Sequence, residues 1–172
     1  EIALSDAGTL KRLDIKHIQN TPAFAAYATS NQTITDTNYT KITFGTEVLD
    51  TDGTFATSRF TPAVAGKYFI AATLAGQQNQ GNTTLHNWIT CIFKNGAIYS
   101  SAHDFVGGNH LHSSLTESHS DILDLDADDY VEIYGYGAVS TESPQTVADT
   151  TPTDSKALGN ACTFSGFRIS GV

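Results

Sequence analysis

Basic residues are scarce in this chain: nine Lys and Arg stand against eighteen Asp and Glu, for a formal net charge of −9. A chain this acidic offers no cationic patch for phosphates, which argues against nucleic acid and anionic membrane as partners. Charged residues of both signs make up only 16% of the sequence, and Thr, Ser, Asn and Gln supply most of the polarity instead. Long apolar runs are missing as well. No segment approaches the ~20 residues of a membrane span, so membrane insertion is not expected. No signal-peptide pattern opens the chain, and Glu1 at its start suggests a processed or excised fragment. Cysteine is limited to Cys91 and Cys162, whose spacing fits neither a metal knuckle nor a Cys-x-x-Cys redox pair. One disulfide is open to them, but Cys91 alternates with Ile89 and Phe93 and reads as a small buried hydrophobe, and a buried free thiol is the favoured reading for both.

Catalytic signatures are also lacking. There is no Gly-x-Ser-x-Gly elbow and no phosphate-binding loop. Ser, His and Asp are plentiful, but nothing singles out a nucleophile with its base, and the chain is not expected to be an enzyme.

What is present is β-sheet material. Hydrophobic residues make up 40% of the 172, with Phe, Tyr, Val and Ile recurring throughout. That is enough for one folded domain with its own core, and it excludes disorder. Alternating segments bounded by turn formers predict strands over residues 23–28, 40–44, 55–60, 67–75, 86–93, 110–115, 121–125, 130–135 and 163–170. Asp52-Gly53, Asn95-Gly96, Gly107-Gly108 and Asp128-Asp129 mark turns between them. Helical spacing is confined to residues 10–18, which read as a short helix or an extended lead-in. Residues 140–160, rich in Thr, Ser, Pro and Asp, read as a long surface loop. The pattern as a whole predicts an all-β sandwich. Residues 1–20 would form a lead-in and 21–172 the domain.

Several motifs, taken in order, resemble one family. Phe60-Thr-Pro62-Ala-Val-Ala-Gly66-Lys-Tyr68-Phe69 reads as a strand, a Pro turn, a permissive Gly and an aromatic strand. Pro22-Ala-Phe24-Ala and Ile42-Thr-Phe44 precede it. Phe93-Lys-Asn95-Gly96 reads as a hairpin. Ile122-Leu-Asp-Leu125 runs on to Asp128-Asp129-Tyr-Val131, and Phe164-Ser-Gly166-Phe167-Arg-Ile169 closes the chain. In this order and spacing they resemble the C1q/TNF-like jelly roll over residues 21–172. Asp128 stands where that family usually has Gly, there is no collagen-like stem, and the 140–160 insertion is unusual. Pro22-Ala-Phe-Ala-Ala-Tyr27 after Leu10-Lys-Arg-Leu13 looks like the C1q-like tips of bacteriophage fibre and structural proteins.

The resemblance implies a jelly-roll sandwich of about ten antiparallel strands assembling as a homotrimer. In the strand from Tyr130, Val131 and Ile133 would fill the core, leaving Tyr130, Tyr134 and Tyr136 on the opposite face as the expected trimer interface. A plain surface tyrosine ladder is the alternative. It further implies a virion component, a fibre or capsid-appendage tip among other virion proteins, adhering to a host-surface glycan or protein. Decoration without a receptor fits the residues equally, and a secreted C1q-like lectin or signalling ligand is the second reading. Candidate ligand loops are residues 77–84, with Gln77, Gln78, Asn79, Gln80 and Asn82, and residues 140–160, with Thr146, Asp149 and Thr153.

No cofactor is expected, with two metal alternatives. His110 and His112, at i and i+2 on a strand, would supply about six nitrogens at a three-fold axis for an octahedral transition metal. The bland reading is an exposed polar strand, here joined by His103 and His119. Asp121, Asp124, Asp126, Asp128 and Asp129 form an oxygen-rich run that could hold Ca²⁺, although it lacks an EF-hand pattern and solvated turns explain it too. Three glycosylation sequons begin at Asn31, Asn38 and Asn82, and in a chain this rich in Asn and Thr they arise readily by chance.

Overall fold

Apolar residues alternating with polar ones leave each segment with one face to bury, and two sheets laid face to face bury them together. The computed structural model describes residues 2–6, 9–13, 21–78, 83–106, 112–141, 155–159 and 161–170. Every regular element among them is a strand. In chain order these are β1 (Ile2–Asp6), β2 (Thr9–Leu13), β3 (Ala23–Tyr27), β4 (Gln32–Ile34), β5 (Thr40–Lys41), β6 (Thr46–Asp50), β7 (Phe55–Ala56) and β8 (Arg59–Phe60). Then follow β9 (Gly66–Gln78), β10 (Thr83–Lys94), β11 (Ala97–Phe105), β12 (Ser114–Leu125), β13 (Val131–Thr141), β14 (Ser155–Ala157) and β15 (Thr163–Ser170).

One sheet runs β11-β10-β13-β8-β7, with β5 also paired to β13. The other runs β4-β14-β9-β15-β3-β6, with β12 on the far edge of β9. All pairings are antiparallel. β1 and β2 pair with each other as a separate hairpin. Two antiparallel sheets packed face to face make the all-β sandwich that the sequence led one to expect.

The core is aromatic at one end. Phe24 stacks on Phe60 at 4.4 Å and meets Phe164 edge-on at 4.8 Å, with Phe55 and Tyr68 closing the cluster. At the other end Trp88 is fully buried and its indole N–H donates to the Leu74 carbonyl at 3.0 Å. Two glycines let the chains approach. A Cβ on Gly76 would lie 2.5 Å from the Trp88 ring, and one on Gly166 would lie 2.7 Å from Ile70 Cδ1. Gly166 therefore does what its place in the closing strand suggested.

Three expectations need correction. Residues 55–60 are not one strand but a tight hairpin, because Thr57 and Ser58 both take left-handed φ, 51° and 59°. Neither is a usual turn former at such positions. The turn is held from outside: the Phe44 N–H donates to Ser58 Oγ at 2.8 Å, and Lys41 Nζ donates to the Thr57 carbonyl at 3.0 Å. Residues 114–125 are one strand rather than two, since Thr116, Ser118 and Ser120 continue the alternation with polar residues facing out. Of the two readings left open for residues 10–18, the extended one holds at Thr9–Leu13. Within the expected 140–160 loop, Ser155–Ala157 pairs between β4 and β9. Strands β1, β4, β6 and β11 have no counterpart among the strands expected from the sequence.

Both cysteines are buried free thiols. Burial pushes the Cys91 thiol up to about 11, with hydrogen bonds to Ser101 and Tyr39 opposing it, and raises the Cys162 thiol as well.

Candidate functional site

β13 divides its side chains as expected. Val131 and Ile133 enter the main core, while Tyr134 and Tyr136 lie on the other face against Ile89, Cys91 and Phe93 of β10. Register makes this a built patch. Tyr134 sits opposite Cys91 and Tyr136 opposite Ile89. Tyr134 stacks on Phe93 with ring centroids 4.0 Å apart, and Tyr39 packs 5.1 Å from Tyr136. Burial, then the charge and hydrogen bond of Glu132, raise the Tyr134 hydroxyl above its ordinary range. Tyr130 lies just before the strand, under the Arg59 guanidinium at 3.9 Å. Each of these tyrosines thus packs against neighbours within the protomer and is only partly exposed.

Glu132 anchors this face. It is 3% exposed, and its Oε1 accepts from Lys41 Nζ at 2.7 Å and from Arg59 Nε at 2.8 Å. Burial alone would raise its pKa, but the hydrogen bonds and charges of Lys41 and Arg59 win and hold the carboxyl below its usual range. Glu132 carried no motif. Its one sequence signal was a charged residue alternating with Val131 and Ile133 in a strand.

The outer face of the seven-stranded sheet is different. Ile122, Phe69, Phe167 and Ala23 lie side by side across β12, β9, β15 and β3. Next to that row comes Ser120, Ala71, Ser165, Ala25 and Leu49, then Ser118, Thr73, Thr163 and Tyr27. None of these carries a charge. Ile122 is 52% exposed, Phe167 47% and Ile169 50%. Phe69 and Phe167 already pair at 5.4 Å. At one border Lys67 and Asp124 form an ion pair of 3.2 Å. Small residues keep the face flat, and the apolar row gives it a hydrophobic centre.

The other expected sites fare unevenly. Gln77 and Gln78 end β9 rather than standing in a loop, because β9 runs on to pair with Ser114 of β12 and with β14. Asn79, Gln80, Asn82, Thr146, Asp149 and Thr153 lie outside the described residues, as does His110. His112 lies before β12, not on it. His119 Nε2 is 2.8 Å from Ser100 Oγ, joining β12 to β11, and His103 Nε2 is 3.0 Å from Ser101 Oγ. The acidic run serves its turn: Asp129 bonds Lys94 at 2.8 Å, Asn95 at 2.7 Å and the Asp126 N–H at 2.8 Å. These contacts, Lys94 foremost, hold Asp129 down at about 2. Among the described residues no three His, Cys, Asp or Glu side chains converge as a metal-holding group.

No protein-family model matches the chain, and no curated protein matches it. Solved structures do. The globular domain of the zebrafish complement 1qA protein aligns over 89% of this chain and 100% of its own, at 20% identity and a TM-score of 0.61. The Eiger TNF of S. frugiperda aligns over 88% and 94%, at 7% identity and 0.59. Murine APRIL aligns over 87% and 100%, at 7% identity and 0.57. The likeness is one of fold, carried across nearly the whole sandwich with little shared sequence.

Proposed function

We propose that the chain is a non-enzymatic homotrimeric recognition module whose loops engage a surface glycan or protein. The observation that carries this is the uncharged outer face of the seven-stranded sheet. Exposed apolar rows on a flat, small-residue face are what a self-association interface needs, and a monomer gains nothing by keeping them in water. The neighbouring C1q and TNF folds support the same reading. Three copies of one modest binding site on a rigid trimer then act together through avidity.

The finer setting is a virion tip or decoration, of the phage fibre or capsid-appendage kind. It rests on the resemblance of the Pro22–Tyr27 segment and its Leu10-Lys-Arg-Leu13 lead-in. Within the trimer the sheet face is the first candidate contact. The tyrosine face, with Tyr130, Tyr134 and Tyr136, is the second. Sedimentation of Ile122→Glu and Tyr136→Glu separates them: the first is expected to dissociate the trimer and the second to leave its mass unchanged. Dissociation by Tyr136→Glu alone would transfer the interface to the tyrosines.

A further inference from the structure

We infer that an open concavity of about 430 Å³ beside the Thr57-Ser58 turn is a binding site for a neutral hexopyranose unit. This rests on the recognition reading above and names the place and chemistry of its ligand. The size lies toward the lower end of small-ligand sites, about 300–1,000 Å³, which suits a single sugar ring. Four separate segments build it: the turn after β6, the β7–β8 hairpin, the stretch before β9, and Ala127 of the β12–β13 turn.

The walls are fixed from behind. Asp50 accepts from the Thr54 hydroxyl at 3.2 Å and the Phe55 N–H at 2.8 Å, and the Thr61 N–H donates to the Thr54 carbonyl at 2.9 Å. Arg59 is locked on Glu132 and lies over Tyr130. A site held this way loses little freedom when it binds.

Thr57 is the telling residue. A β-branched side chain in the left-handed region is a strained choice, and two-residue hairpins of this type favour Asn or Gly. Ser58 has a local reason to be there, since its hydroxyl receives the Phe44 N–H. Among the described residues the Thr57 side chain makes no such hydrogen bond: its carbonyl receives Lys41, which any residue would provide. What its side chain does is line the concavity. Strain kept at a pocket wall points to binding.

The lining selects the ligand. Thr54, Thr57 and Thr61 line it with Asp52 and Arg59, and Pro62 and Ala63 add apolar surface. Arg59 is already paired with Glu132 and Asp52 has an interaction of its own, so the lining presents no uncompensated charge and favours neither an anion nor a cation. Hydroxyl-rich rings match hydroxyls and charged hydrogen-bonding groups, while their C–H faces suit Pro and Ala.

Saturation-transfer NMR tests this on the full chain. The probes are D-glucose, D-galactose, D-mannose, L-fucose, N-acetylglucosamine and N-acetylgalactosamine at millimolar concentration, with N-acetylneuraminic acid as the anionic control. The wild type is expected to bind at least one neutral sugar. Ala63→Trp, a filling change at an exposed position, is expected to abolish that signal. Thr57→Gly is expected to weaken it at least tenfold while the melting temperature holds or rises. Should Thr57→Gly fail to fold, Ala63→Trp decides alone. Sugar binding unchanged by Ala63→Trp would overturn the pocket and leave the recognition module standing. A wild-type trimer that binds none of the sugars would overturn the pocket without touching the assembly.

Discussion

Replacing Glu132 with Gln tests how the tyrosine face is held together. The carboxylate is almost completely buried and accepts charge-assisted bonds from Lys41 and Arg59 on one oxygen. Such bonds are each worth about 1.5–3 kcal/mol when the partner group stays buried. Lys41 and Arg59 are, however, 32% and 41% exposed, so water can recover part of their solvation once the charge is gone. Gln also keeps an acceptor oxygen and the side-chain volume. The expected loss for Glu132→Gln at pH 7 is therefore about 1–2 kcal/mol, below the ~3–5 kcal/mol of a fully buried pair broken on one side. For a chain of this size that is a fall of roughly 2–8 °C in melting temperature. The sign with pH follows from the lowered pKa of Glu132. Its stabilisation is fully present above the unfolded value near ~4.3 and is lost as pH falls through the lower folded value. Urea unfolding of wild type and variant from pH 7 to pH 3 should show two curves that converge in acid. Equal stability at pH 7, or a gap that widens toward pH 3, would refute the reasoning.

Gly76→Ala is expected to cost about 2–3 kcal/mol, an overpacking penalty, because its Cβ would press into the buried Trp88 ring; thermal melts followed by Trp fluorescence check it. Neither Cys91 nor Cys162 should react with a thiol reagent in the native protein, and both should react in denaturant; native labelling at either would contradict their burial. Asp50→Ala removes the acceptor for the Thr54 hydroxyl and the Phe55 N–H and should cost about 1–3 kcal/mol in urea titrations. Phe167→Glu places a charge in the centre of the proposed contact and should lower the assembled mass, with about 0.2–1 kcal/mol of protomer stability lost along with the Phe69–Phe167 ring pair.

How much of this was legible beforehand follows from what each feature depends on. The core strands could be read, because alternation and residues such as Phe24, Tyr68 and Phe164 report burial directly. The hairpin at Asn95-Gly96 could be read because those two residues favour the left-handed φ of 53° and 79° that they adopt. The Thr57-Ser58 turn could not, since its residues disfavour that geometry and contacts from Phe44 and Lys41 impose it. β11 was missed for another reason: Ile98, Tyr99 and Phe105 are all exposed, so its pattern has no buried face to announce it. The first half of β13 was read correctly down to which side its tyrosines take, although the strand runs on to Thr141; Phe93, Tyr39 and Arg59, which cover those tyrosines, come from segments distant in sequence. The flat face of the other sheet was invisible for the same reason. Ile122, Phe69 and Phe167 become a row only when register aligns β12, β9 and β15.

The central claim is that this sandwich works as a trimer, and its mass in solution tests that most directly. Light scattering on the size-exclusion peak at micromolar concentration should give about three times the 18.4 kDa protomer, independent of dilution across a tenfold range. A single 18.4 kDa species throughout that range would contradict the account.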